Sequence, residues 1–270
     1  MRYVSSLSGG VSSAIATDLA INKFGRDKVD VWFADTLWEH DDLYRFNNDL
    51  IKRWGGKIHT YTDGRNPLQV CEDKKIIPNS LIAPCTFILK IKPFTDYLYK
   101  SVRPLSVIMG FNWDEMHRIE SRSRYTRKAG KLKKPTGYHT KISGVYEVYP
   151  LLWNPIIFRP FDYVKDVMGV DIPQLYKDGF SHNNCGGACV KAGVGNFLKL
   201  KLIYPERFND VMQWENKQRA TLPSASNRSI LKKVRDGVST PYTMAELEKR
   251  TDIKDTPTEQ YDMFNCFCGV

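Results

Sequence analysis

The chain has 270 residues, 42% hydrophobic and 26% charged, which excludes a disordered or fibrous protein and is enough to bury one large α/β core or a domain with a helical extension. No apolar run approaches the ~20 residues of a membrane span, and the start of the chain has neither an apolar signal core nor a small-residue cleavage site, so we expect a cytoplasmic protein without a membrane partner. Forty Lys and Arg against thirty Asp and Glu leave a formal charge of +10, which suits a nucleotide or nucleic acid and equally suits a basic surface kept for solubility.

In chain order, the apolar start MRYVSS reads as a first strand and runs into SLSGGVSSA, Ser6–Ala14. Two adjacent glycines among small hydroxyl residues let the backbone pass close to a ligand, most often a phosphate. VSSAIATDLAINKFG then places Ala14, Ile15, Leu19 and Ala20 at helical spacing and stops on Gly25. DVWFADT is a second buried strand ending in Asp35-Thr36. HDDLYRFNNDLIKRWGG is an amphipathic helix with a Gly-Gly stop, KIHTYTD a third strand, and PLSVIMGF a fourth over Leu105–Met109, closed by Gly110. Strands alternating with helices predict a Rossmann-like α/β fold with a parallel sheet, whose ligands bind at the carboxyl ends of the strands. The glycine loop, Asp35 and Thr36 fall at those ends.

Residues 117–141 carry nine Arg or Lys interleaved with His117, Tyr125, Tyr138 and His139, with Glu120 as the one opposing charge. This segment reads as an exposed basic loop that suits nucleic acid, its cations for phosphates and its rings for stacking, or as a solvated surface. Beyond YEVYPLLWNPIIF the chain reads as helical with short breaks. The boundary is placed near Pro155, giving a nucleotide-binding domain over 1–155 and a helical, cysteine-bearing region over 156–270.

The six cysteines are Cys71, Cys85, Cys185, Cys189, Cys266 and Cys268. Cys71 reads as a packed small side chain. Cys185 and Cys189 straddle Gly186-Gly187-Ala188, which leaves N–H groups free to face sulfur, and Cys266 and Cys268 lie two apart near the C-terminus. Together the four suit Zn2+ or an iron–sulfur cluster, and the spacing separates neither from a pair of free redox thiols.

The loop has neither the Gly-Lys-Ser/Thr of a P-loop nor the G-x-G-x-x-G of a dinucleotide fold. Ser8, Gly9, Gly10, Val11, Ser12 and Ser13 instead resemble the pyrophosphate loop of the PP-loop superfamily, the adenine nucleotide alpha hydrolases of HUP-type fold. Ser12 stands where that family usually has Asp. Further segments resemble its phosphoadenylyl-sulfate reductase-like branch: FADTLWEHDDLYRF with Asp35 and Thr36, APCTFILKIKPF with Cys85, Thr86, Lys90 and Pro93, and MGFNWDEMHRIESR with Gly110, Glu115, Arg118 and Arg122. GFSHNNCGGACVKAG and FNCFCGV resemble the cysteine-bearing end of a subgroup met in phage and mobile-element genomes.

The resemblance implies ATP, or phosphoadenylyl sulfate, held on Ser8, Gly9, Gly10, Ser12 and Ser13, with Asp35 and Thr36 near the adenosine, Gly110 allowing close approach, and Mg2+ as an accompanying ion. It implies Lys90, Arg118 and Arg122 as the cations that stabilise charge in the reaction, and Cys185, Cys189, Cys266 and Cys268 as metal ligands, with His182 as a further candidate. The leading expectation is an AMP-forming enzyme that adenylates a nucleobase or small heterocycle for sulfur transfer or modification. Thiol-dependent reduction of phosphoadenylyl sulfate through Cys266 or Cys268, and a non-catalytic nucleotide- or nucleic-acid-binding module, stand beside it. A homo-oligomer is compatible with all three.

Overall fold

The computed structural model describes residues 1–123, 126–128, 131–133, 141–153, 159–223 and 226–250. The boundary residue Pro155, residues 124–125, 129–130 and 134–140 of the basic loop, and Cys266 and Cys268 lie outside the described residues.

β1 (Arg2–Leu7) passes through the glycine loop into α1 (Val11–Phe24), followed by β2 (Val29–Asp35), α2 (Asp41–Trp54), β3 (Ile58–Thr62) and α3 (Pro67–Asp73). A π-helical stretch over Thr86–Ile91 runs into α4 (Lys92–Lys100), then β4 (Leu105–Ile108) and α5 (Met116–Ser123). A small hairpin of β5 (Thr126–Lys128) and β6 (Lys131–Lys133) precedes β7 (Val145–Val148). The sheet order is β3-β2-β1-β4-β7, every pair parallel. The chain crosses from one side of β1 to the other between β3 and β4. The crevice beyond the carboxyl ends of β1 and β4 is therefore the switch point where such sheets hold ligands.

The strands are built for burial on both faces. Leu7, Val29 and Val31 pack with α1, α2 and the segment from Val164 to Tyr176, while Val4, Trp32, Ala34 and Val107 pack against Phe94 and Leu98 of α4. This is the period of two expected of a pleated strand. Asp18, buried in α1, accepts hydrogen bonds from Trp54 Nε1 (2.9 Å), Asn22 (3.1 Å) and Tyr163 (3.2 Å), which fixes α1 against α2 and the later segment.

The remaining elements are the short α6 (Pro160–Asp162), α7 (Gln174–Lys177), α8 (Val194–Ile203), α9 (Pro205–Thr221), the hairpin β8 (Leu231–Arg235) with β9 (Val238–Tyr242), and α10 (Met244–Glu248). Leu68, Val70, Ile77 and Leu89 share one apolar cluster with Phe197, Leu200, Phe208, Val211, Met244 and Leu247. The helical region is thereby packed onto α3 and the π-helical stretch. Glu215, fully buried in α9, accepts the backbone N–H of Ile230 (2.8 Å) and of Met244 (2.6 Å), and so clamps both ends of the β8–β9 hairpin. No helix among the described residues is long and apolar enough to cross a membrane.

Candidate functional site

The glycine loop occupies the switch point as the sequence predicts. Gly9 has φ +77°, a left-handed conformation that favours glycine, and a Cβ there would stand 2.4 Å from Leu43 Cδ1. Ser13 Oγ donates to Gly10 O (2.8 Å) and accepts from Ser8 N (3.1 Å), with Ser8 Oγ 3.0 Å away, so the first and last serines lace the turn together. Gly10 is the N-cap of α1 without a side-chain cap, and the first turn of α1 holds no acid. Val11 N is taken by Tyr176 Oη, and the positive helix end is otherwise uncapped by side chains among the described residues. Ser12, in that first turn, makes no side-chain hydrogen bond among the described residues.

Gly110 lies two residues beyond the end of β4. A Cβ on it would lie 2.8 Å from Ser13 N and 2.9 Å from Ser12 C. Its lack of a side chain lets the end of β4 press against the first turn of α1, so the approach it permits in this structure is between two backbones.

Asp35 ends β2. Its Oδ1 accepts from Leu37 N (2.8 Å) and from Tyr44 Oη (3.0 Å), and burial together with this carboxylate raises the Tyr44 pKa. Leu37 is held at φ +54° in this turn, an uncommon conformation for a branched residue. Thr36 is buried, and its hydroxyl donates to Glu39 Oε1 at 2.8 Å. Glu39, also buried, stands 3.6 Å from Lys90 Nζ, and its second oxygen accepts Cys185 N at 2.6 Å. A carboxylate removed from water is tolerable when it is paired and hydrogen-bonded in this way.

The structure therefore brings Thr36, Lys90 and Cys185 together around one acidic residue. Lys92 does not join them: it pairs with Asp96 at the surface. Cys85, Cys185 and Cys189 line one cavity with Thr36 and Lys90. Cys185 (φ +51°), Gly186 and Gly187 take three successive left-handed conformations that set the Cys185 backbone N–H onto Glu39. Among the described residues, no three His, Cys, Asp or Glu side chains converge closely enough to hold a metal ion. Cys71 is packed in the apolar core as expected.

Arg118 pairs with Glu115 and lies 4.4 Å over the Phe111 ring. Arg122 lies on α5, and its side chain, like those of residues 121–140 as a whole, is outside the described residues.

Three site residues escape a reading of sequence order. Asn183 donates from Nδ2 to Gly9 O (2.9 Å), and Tyr176 Oη accepts from Val11 N at 3.4 Å. Glu39 is the third. All three join segments far apart in the chain. The run from Asn183 to Cys185 binds the glycine loop at one end and Glu39 at the other, so the cysteine-bearing segment closes over the crevice. Arg207 adds a cation from α9: its Nη2 donates to Trp38 O, its guanidinium lies 4.7 Å over the Trp38 ring, and burial lowers its pKa.

A five-stranded parallel sheet with a serine- and glycine-built anion loop at its switch point defines a nucleotide-phosphate-binding α/β protein. The family model described as phosphoadenosine phosphosulfate reductase domain matches residues 2–185, and the chain belongs to that family of PP-loop, nucleotide-using proteins. Among solved structures the chain is similar to a phosphoadenylyl-sulfate (PAPS) reductase from Candida auris in a phosphate complex, with 17% identity over 67% of this chain and 79% of that chain and a TM-score of 0.43. No curated protein matches the chain.

Proposed function

We propose that the protein is an AMP-forming PP-loop enzyme that adenylates a nucleobase or small heterocycle. The observation that carries the reading is the Ser8–Ser13 loop, with its uncapped, acid-free helix start at the switch point. ATP lies with its phosphates on Ser8, Gly9, Gly10, Ser12 and Ser13 and its adenosine toward Asp35 and Thr36. An acceptor oxygen attacks the α-phosphorus, an O–P bond forms, and the α–β bridging oxygen leaves with its electron pair on pyrophosphate. A nitrogen or sulfur nucleophile then displaces AMP. Lys90, Arg118 and Arg122 are assigned to the charge that develops on the phosphate oxygens. With Ser12 in place of an acid, the first turn of α1 offers Mg2+ no carboxylate, and the ion would arrive on the nucleotide.

In this reading residues 1–155 form the nucleotide domain and 156–270 the closing, cysteine-bearing region. Cys185 and Cys189 supply two thiolates, and Cys266 and Cys268 complete a set suited to Zn2+ or an iron–sulfur cluster. Metal and acid-labile sulfide analysis of protein purified without oxygen, compared with Cys185→Ser, tests that set: loss of bound metal is expected, and no metal in either protein overturns it.

The family match favours a second reading, reduction of phosphoadenylyl sulfate by Cys266 or Cys268. The thiolate attacks sulfur and releases adenosine bisphosphate, and a second thiol then releases sulfite as a disulfide forms. Product analysis separates the readings. AMP and pyrophosphate from ATP in the presence of nucleobase acceptors support adenylation. Sulfite from phosphoadenylyl sulfate, lost in Cys266→Ser/Cys268→Ser, supports reduction. Nucleotide binding without either product leaves a binding module.

A further inference from the structure

A groove of about 340 Å3 lies between the β8–β9 hairpin and the turn that precedes Cys85. Arg228 and Lys232 line one side, Asn79 and Ile82 the other, with Ser239 and Thr240 on the adjoining strand. No Asp or Glu is among the described residues that line it. Arg228 and Lys232 form no ion pair among the described residues. Asn79 Oδ1 is occupied by Leu81 N (2.9 Å) and Ile82 N (3.0 Å), which leaves its amide NH2 as the remaining donor. The groove is thus furnished with cations and with hydroxyl and amide donors.

We propose that this groove binds the phosphodiester backbone of a single-stranded nucleic acid, as an anion site separate from the Ser8–Ser13 loop. Charge complementarity carries the choice, since paired cations and neutral donors along a recess are what a phosphate chain requires. No aromatic ring is among the described residues that line the groove, so it holds the backbone without reading bases. Its wall is rigid: Glu215 fixes both ends of the hairpin, and Ser229 Oγ accepts Tyr242 N at 2.9 Å across its base. The Asn79–Ile82 turn runs on into Cys85, which lines the cavity shared with Thr36, Lys90 and Cys185. This inference deepens the nucleobase reading above by placing the acceptor base in a polymer, and rests on it for that step alone.

The test measures fluorescence anisotropy of labelled mixed-sequence 20-nucleotide DNA and RNA, without ATP, across a salt series. Wild-type protein should bind with little dependence on sequence and lose affinity as salt rises. In Arg228→Gln/Lys232→Gln, two phosphate contacts are lost, and the slope of log K against log salt should fall by about 1.4 in magnitude, about 0.7 for each single-strand contact. A variant with Arg127, Lys128, Lys131 and Lys133 changed to Gln separates the basic loop from the groove. Equal binding and equal slope in the groove variant would overturn the proposal, as would binding of wild type to phosphatidylserine vesicles but not to oligonucleotides. Because the assay involves no turnover, its failure is distinct from a failure to form AMP.

Discussion

Alanine at Gly110 is expected to unsettle the site through the packing of the end of β4 against the first turn of α1. The added Cβ would stand 2.8 Å from Ser13 N and 2.9 Å from Ser12 C and Ser13 Cα, where ordinary contact begins at 3.4 Å. All three neighbours are backbone, so no side chain can swing away, and the end of β4 and the first turn of α1 must separate by roughly half an ångström in a close-packed interior. Overpacking of this kind costs about 1–3 kcal/mol, and in a chain of this size each kcal/mol lowers Tm by about 2–4 °C. Thermal unfolding of Gly110→Ala should therefore begin about 2–12 °C lower than wild type. Gly193→Ser provides the control, since a Cβ at Gly193 meets nothing within 4 Å, and its Tm should stay near that of wild type. A Gly110→Ala protein that melts with wild type would refute the close β4–α1 contact.

Glu39→Gln keeps the shape of the buried carboxylate but has one acceptor oxygen for the Thr36 hydroxyl and the Cys185 N–H, and it weakens the pairing with Lys90; the cost should be about 2–4 kcal/mol by urea unfolding. A loss below ~0.5 kcal/mol would remove Glu39 as the tie between the two segments. Asp42 is held below its usual 3.8 first by the Arg45 hydrogen bond, with Gln174 N–H adding to it. A depressed carboxyl stabilises the fold above its unfolded value and loses that contribution as pH falls through its folded value, so Tm should drop on acidification below about pH 4 less steeply in Asp42→Asn than in wild type. Parallel Tm curves would contradict this. Tyr176→Phe removes a 3.4 Å acceptor from Val11 N–H, so stability should fall by less than about 1 kcal/mol and ATP affinity should hold or rise. A tenfold loss of affinity would instead place the hydroxyl on the nucleotide.

The parallel sheet was legible because its strands are short apolar runs separated by amphipathic helices, and β1 through β4 fall within a residue or two of the predicted segments. The glycine loop was legible because a phosphate site is made by consecutive residues. β7 was not assigned, since VYEV is four residues long and half polar. The β8–β9 hairpin was also missed, although Asp236-Gly237, with φ +51° and +76°, is the dipeptide that a tight hairpin turn selects. Glu39, Tyr176 and Asn183 escaped for a different reason. Each acts on a partner more than 140 residues away, and nothing local distinguishes a buried Glu that caps a cysteine N–H from an acidic residue at a helix start. Lys90 and Lys92 lie two residues apart in one basic stretch, and tertiary packing buries the first beside Glu39 while the second pairs with Asp96 at the surface.

The most direct test of the central claim is calorimetric titration of ATP into wild type and into Gly9→Ala. The variant must force a side chain into φ +77° and against Leu43 Cδ1, which deforms the Ser8–Ser13 loop while Asp35, Thr36 and Lys90 are left unaltered. Saturable binding by wild type and at least about a tenfold loss in the variant, with the fold retained by circular dichroism, is the predicted result and corresponds to about 1.4 kcal/mol. Equal affinity in the two proteins would contradict the account, because the phosphates would then be held somewhere other than the loop.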